Sequence, residues 1–310
     1  MAVPSRHILN QGPVLAALGR TVYMALKQRV AKPQGTPQTP GPEVQMTRPP
    51  LPRRLIDDYI RLVGGDPRAY RGELPPHLFP QWCMPALART LEPLPYPLLR
   101  VLNGGCRVRV QGVLGDREPL QVRAQLMDID DDGRRAVLHQ RVLTGTRSAP
   151  EALAIDFYAI APLGNGAAGK ENGNRSNGAE PPKKRERPHV PERAREIARQ
   201  RLGHDAGLAF AKLTGDFNPI HWVAPIARAS GFPDVILHGF GELALTWEAL
   251  NRNLFGGDVH ALQALDVKLA RPLVLPHEVG TYVLGSEVFL GDAPGGPAYL
   301  TGSFTARGNS

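Results

Sequence analysis

Cysteine is nearly missing from this chain: Cys83 and Cys106 are the only two in 310 residues. They share no Cys-x-x-Cys spacing, and two thiols are too few for a disulfide framework or a structural zinc site. Both read as small packing residues of a protein kept in a reducing compartment. Long apolar runs are missing too. A membrane-spanning helix needs roughly 18 to 20 consecutive apolar residues, and the longest candidate, Val14 to Leu26, is interrupted by Gly19, Arg20 and Thr21. No transmembrane segment is expected. Acid is missing from the start of the chain, where nothing negative precedes Glu43.

A basic face is missing from the globular parts, although the net charge is +8. Residues 1–50 carry six Lys/Arg against one Glu, and residues 163–200 carry nine against five Glu. The rest holds 22 basic and 23 acidic groups. The excess therefore lies in a tail and a connector, and a nucleic-acid-binding surface built on the fold is not expected.

What is present is two globular stretches. Residues 1–50 are expected to be a flexible tail with a short helix at Pro13 to Val30, then a Pro/Gln/Thr/Gly linker at Pro33 to Pro42. The acid-free, basic start is similar to an organelle transit peptide; the other reading is a surface helix or a frayed tail, on a cytoplasmic protein. Residues 51–162 open with helices at Leu55 to Leu62 and Pro80 to Leu91. They continue with period-two runs near 107–113, 120–126, 136–143 and 154–160, and Asp131-Asp132-Gly133 is a hairpin turn. Residues 163–191, almost free of apolar side chains, are expected to be a disordered connector. Its Gly164-Asn165-Gly166-Ala167-Ala168-Gly169 matches a dinucleotide fingerprint only formally, because no amphipathic helix comes after it.

Residues 192–310 repeat the order. A charged helix is expected at Pro191 to Leu202, a shorter one at Gly207 to Leu213 and a long apolar one at Gly239 to Leu254. Strands are expected at Ala261 to Ala270, Glu278 to Leu290 and Ala298 to Ala306. Tyr59 to Pro67 faintly echoes Phe210 to Phe217. The chain thus reads as one helix-and-antiparallel-sheet architecture used twice.

The chemistry concentrates in Gly215-Asp216-Phe217-Asn218-Pro219-Ile220-His221. Pro219 holds Asn218 extended and stops the preceding helix, so Asp216 and His221 share a fixed loop and can hold one water between them. Val235-Ile236-Leu237-His238-Gly239 then runs into the long helix. Free amides and the helix dipole there favour negative charge, and Gly239 has no side chain to block a ligand. Water activation beside such an oxyanion site is what reversible hydration of a 2-enoyl thioester requires. No cofactor and no metal are needed. His204, His260 and His277 lack ligand spacing, and the acids at 128–132 lack the Glu that completes a calcium loop.

This stretch resembles the MaoC-like, or (R)-specific enoyl-CoA hydratase, family. The resemblance runs from Phe210 through His221, then Ala227-Arg228-Ala229-Ser230-Gly231-Phe232, His238-Gly239, and Val267 to Leu273 with its Arg271-Pro272. It covers about residues 192–306. It implies an α+β double hot-dog fold: two antiparallel sheets, each wrapped round a central helix. It implies that Asp216 and His221 are catalytic, that Asn218 supports their loop, and that the Gly239 amide is the oxyanion donor. Ala224 replaces a common acid, and His277-Glu278 replaces a common Gly-Asp, both outside that core. In the first half, Arg68 and Arg71 fall where Asn218 and His221 stand, so that half should be degenerate and shape a tunnel for the acyl tail.

Four further residues are candidates for substrate contact. His238 would otherwise hold the strand-to-helix turn, and Trp247 is either core or a stop on acyl length. Lys268 and Arg271 would meet coenzyme A phosphates, unless Arg271 braces the sheet. The expected partner is an acyl thioester of coenzyme A or acyl carrier protein, acted on by a homodimer. A thioester hydrolase and a non-catalytic acyl-thioester binder are the other readings.

Overall fold

The computed structural model describes residues 3–30, 37–97, 101–163 and 187–308. The Gly164–Gly169 motif and most of the expected connector lie outside these. A 3-10 turn, Ser5–Gln11, leads into α1 (Gly12–Val30). The first half then runs β1 (Val44–Arg48), α2 (Arg53–Leu62), α3 (Pro80–Leu91), β2 (Leu102–Val110), β3 (Leu120–Asp131), β4 (Arg135–Gly145) and β5 (Leu153–Pro162). The second runs β6 (Arg195–Leu202), α4 (Ala206–Thr214), α5 (Ala224–Ala229), α6 (Gly239–Asn253), β7 (Leu262–Leu269), β8 (His277–Leu284), β9 (Glu287–Gly291) and β10 (Ala298–Ala306).

The strands form one ten-stranded sheet in the order β1-β3-β4-β5-β2-β7-β10-β9-β8-β6. Reading each half from its outer edge inward gives β1-β3-β4-β5-β2 and β6-β8-β9-β10-β7, the same topology, so the repeat expected from the sequence is present. The two sheets expected separately are joined into one. β2 pairs antiparallel with β7 from Gly105↔Lys268 to Arg109↔Ala264, which leaves each half with a single outer edge. Cys106 and Val108 of β2 and Leu262, Leu265 and Val267 of β7 are buried and join one core.

α3 packs on β1, β3 and β4, and α6 on β6, β7 and β9. α6 is buried almost all round, its polar Glu242, Thr246, Glu248 and Asn251 included, so it is covered on nearly every side. Its Leu243, Trp247 and Leu250 are completely buried, and burial of such side chains is worth roughly 1.5–3 kcal/mol each.

Several expectations are corrected. Residues 195–202 are a strand, not a helix. Their Arg and Glu residues decorate the open edge of the sheet, where charge prevents pairing with other chains. The single strand expected at 278–290 is the hairpin β8–β9, turned at Gly285 with φ +59°. The described part of the tail is packed rather than free. The α1 helix lies on α3, the Ser5–Gln11 turn lies on α4, and β1 closes the first edge of the sheet. Residues 187–191 also leave the connector: His189 bridges Pro297, and Val190 is buried with Tyr282 and Phe289.

Candidate functional site

α4 ends at Gly215, whose φ of +85° suits glycine and whose N–H closes the last turn on the Ala211 carbonyl at 2.8 Å. The chain turns there and delivers Asp216. Asn218 organises the next turn. Its N–H donates to Asp216 Oδ1 at 3.3 Å, and its own Oδ1 accepts from Ile220 N–H at 3.3 Å, capping the 3-10 turn Pro219–His221. Asn218 thus bonds to residues on both sides of it within the loop.

His221 is buried, and its Nδ1–H donates to the Ile236 carbonyl at 2.8 Å. A neutral ring so held keeps its lone pair on Nε2. Burial lowers the His221 pKa below 6.5, opposed by the charge of Asp216 and the bond to Ile236. Asp216 is about one-quarter exposed, so the pair has a wet side and a dry side. Ligand-type atoms of Asp216, His221 and His238 all lie within 4.8 Å of one another.

His238 stacks on His221, with ring centroids 3.6 Å apart, and lies 4.9 Å from the Phe210 ring. Its Nε2–H donates to the Asp216 backbone carbonyl at 2.9 Å. That nitrogen is committed to the loop and cannot also hold a metal. Burial, then the neighbouring His221, depress the His238 pKa to about 3, so the ring stays neutral. The geometry fits the loop-holding alternative for His238; at 1% exposure it offers no surface to substrate.

The amide of Gly239 begins α6. Neither it nor the Phe240 amide has an acceptor among the described residues, and His238 supplies no side-chain cap. The Leu269 side chain packs against Gly239: a methyl group on its Cα would lie 2.1 Å from Leu269 Cδ1. Glu242, one turn on, is buried with Oε2 unpartnered, and burial raises its pKa well above 4.5.

The other substrate candidates are not drawn to this place. Leu269 faces Gly239, so Lys268, its exposed neighbour on β7, projects from the opposite face of the sheet. Arg271 donates to the carbonyls of Arg187 and Pro188 at 3.1 and 3.0 Å, bracing the chain against the sheet. Trp247 is core, 6.0 Å from the His77 ring. A small pocket lined by Tyr70, Leu74, Val110, Leu153, Val259 and His260 touches neither Asp216 nor His221. In the first half, Asp66 is closed by Arg68 across 3.0 Å on an exposed loop, and among the described residues no imidazole pairs with it. Cys83 and Cys106 are buried, and burial pushes the Cys83 thiol up to about 12, which suits packing rather than nucleophilic chemistry.

Residues 182–292 match the family model described as MaoC like domain. A curated relative, Enoyl-CoA hydratase ChsH3 of Mycobacterium tuberculosis (strain ATCC 25618 / H37Rv), is 28% identical over 177 residues, which cover 56% of this chain and 57% of the relative. The chain thus spans little more than half of that protein's length. The solved structure of HtdX from Mycobacterium tuberculosis matches with a TM-score of 0.66 at 17% identity, covering 86% of this chain and 100% of that one. A conserved hypothetical protein of the same organism, described as having a double hot-dog fold, matches with a TM-score of 0.52 at 15% identity over 87% of this chain and 96% of its own. Likeness to solved structures at such identities carries the fold alone.

Proposed function

The segment 182–292 is a MaoC-like domain, and from that premise we propose that the chain is a hydro-lyase interconverting (R)-3-hydroxyacyl and trans-2-enoyl thioesters. One observation carries the reading. Asp216 and His221 hold their polar atoms within 4.8 Å of one another, and the Ile236 carbonyl leaves His221 Nε2 as the free base. In the hydration direction, a water held by the pair loses a proton to it as the water oxygen bonds to C3. The C2–C3 π electrons move toward the thioester, giving an enolate whose oxygen faces the Gly239 amide. The proton held by the pair then passes to C2. Dehydration is the reverse.

The acyl group is carried by coenzyme A or acyl carrier protein, and a panel of short and long enoyl thioesters on both carriers identifies which. Asp216→Asn and His221→Ala should each lower kcat by about 10²- to 10⁴-fold, the usual contribution of a positioned acid or base, while circular dichroism stays unchanged. The reading fails if either folded variant hydrates the substrate at the parent rate. Free thiol release without hydration would redirect it to thioester hydrolysis.

A further inference from the structure

Asn103 stands near the start of β2, in the half that lacks a catalytic histidine. Its Oδ1 accepts from the Gly105 N–H at 2.9 Å. That bond fixes which end of the side-chain amide points where: Oδ1 toward its own strand, Nδ2 away from it. Nδ2 has no acceptor among the described residues, and a methyl group on the Cα of Gly239 would lie 3.3 Å from it. A donor from the first half therefore rests beside the first residue of α6, in the second half.

The backbone around Asn103 is shaped for this. The β2–β5 register shifts between Asn103 and Gly105, and Gly105 has φ +131° with the Val267 carbonyl where a side chain would stand. A bulge of this kind re-aims the side chain next to it, and bulges recur beside active sites. Asn103 is only half-buried, so its amide is not sealed from a ligand. One residue before Gly239, the His238 ring packs on His221 and holds Asp216. The unspent Asn103 Nδ2–H thus lies beside Gly239, whose own N–H is unspent, one residue from the His238 ring that packs on His221; the Leu269 side chain lies against the same glycine.

We propose that Asn103 is a catalytic residue of the hydro-lyase site, donating through Nδ2–H to the thioester oxygen alongside the Gly239 amide. The inference rests on the function proposed above and adds a second oxyanion donor to it. As water adds to C3, negative charge gathers on the thioester oxygen. Two fixed donors stabilise that charge more than they stabilise the neutral carbonyl, so the gain falls on the transition state. The half without its own acid–base pair then completes the site of the other.

The test uses the full chain with enoyl thioesters and two variants. Asn103→Asp retains the Oδ1 acceptor for Gly105, and hence the bulge, but replaces the donor by an oxygen; Asn103→Ala removes both ends. Asp216→Asn serves as the control for the reaction itself. Expected are a kcat about 10²- to 10³-fold lower in both variants, as for other oxyanion donors, a KM within about threefold, and a thermal midpoint for Asn103→Asp equal to the parent's. The carbonyl stretch of bound enoyl thioester, read by Raman difference spectroscopy, should shift back toward its solution frequency. If the parent turns over, Asp216→Asn does not, and folded Asn103→Asp stays within threefold of the parent, this inference alone is overturned. If the parent shows no turnover, the hydro-lyase reading and this inference fall together.

Discussion

At the residue scale, the base proposed for the reaction, His221, has only one ring nitrogen open. One nitrogen is spent on the Ile236 carbonyl and one face is covered by the His238 ring, so a single lone pair is left for chemistry. Burial is the largest influence on its pKa and lowers it from 6.5. The ring therefore stays neutral as pH falls through 6.5 and gains its proton only below that value. The acid limb of kcat/KM, which reports the free protein, should accordingly inflect below pH 6.5. A limb centred at or above 6.5, measured from pH 4 to 9 at constant ionic strength, would contradict the buried, carbonyl-bound imidazole.

At the scale of elements, the Ser5–Gln11 turn and α1 bear on the loop more directly than their place in the chain suggests. Val14 and Gln11 pack against Gly215, the residue before Asp216: a methyl group there would lie 2.6 Å from Val14 Cβ and 2.9 Å from Gln11 Oε1. Gln11 is completely buried, donating to the Lys212 carbonyl at 3.1 Å and accepting from Gln81 at 3.4 Å. Gln11→Ala leaves that carbonyl unpaired, which costs about 1–3 kcal/mol. It should also lower kcat, because the end of α4 that presents Asp216 loosens. Arg20→Ala, at the exposed ion pair with Glu92, should leave stability nearly unchanged. Denaturant melts and turnover on the two variants check both statements; a silent Gln11→Ala would mean the segment merely rests on the loop.

Much of this was legible in the sequence, for a physical reason. The helix Pro80–Leu91 and the strand Ala298–Ala306 have strong periods and sharp stops. The Asp216–His221 loop is local, its geometry set by Pro219 and the Asn218 cap. Other features depend on partners far along the chain. Arg195–Leu202 has the charge pattern of a surface helix and becomes a strand because β8 lies beside it. Val44–Arg48 becomes one because β3 does. His238, Lys268 and Arg271 could be given roles only once the face each projects from was known, and Asn103 carried no signal at all, since its neighbour Gly239 is more than a hundred residues away.

At the scale of the whole molecule, the halves share more than a sheet seam. Tyr70 and His77 of the first half both donate to Glu248 Oε1 of α6, at 2.5 and 2.9 Å, and Asn251 of α6 donates to the Tyr70 hydroxyl at 3.2 Å. Tyr59 ties His77 from behind, its hydroxyl donating to the His77 carbonyl at 2.7 Å. Glu248 is 2% exposed, so the cluster is dry, and burial followed by the Glu248 charge raises the pKa of Tyr70 well above 10. Removing one member strands the others: Glu248→Ala leaves two buried donors without their acceptor and should destabilise the fold by about 3–5 kcal/mol. Glu248→Gln keeps an oxygen acceptor in place and should cost less than half as much. The main apolar core cluster runs through both halves, and neither change touches a residue of the β2–β7 pairing. Unfolding followed by tryptophan fluorescence, reporting Trp82 in the first half and Trp222 and Trp247 in the second, and by far-ultraviolet circular dichroism should therefore remain a single transition that moves as a unit. Two separated transitions in Glu248→Ala would mean that this buried cluster, and not the shared sheet, is what makes the halves fold as one.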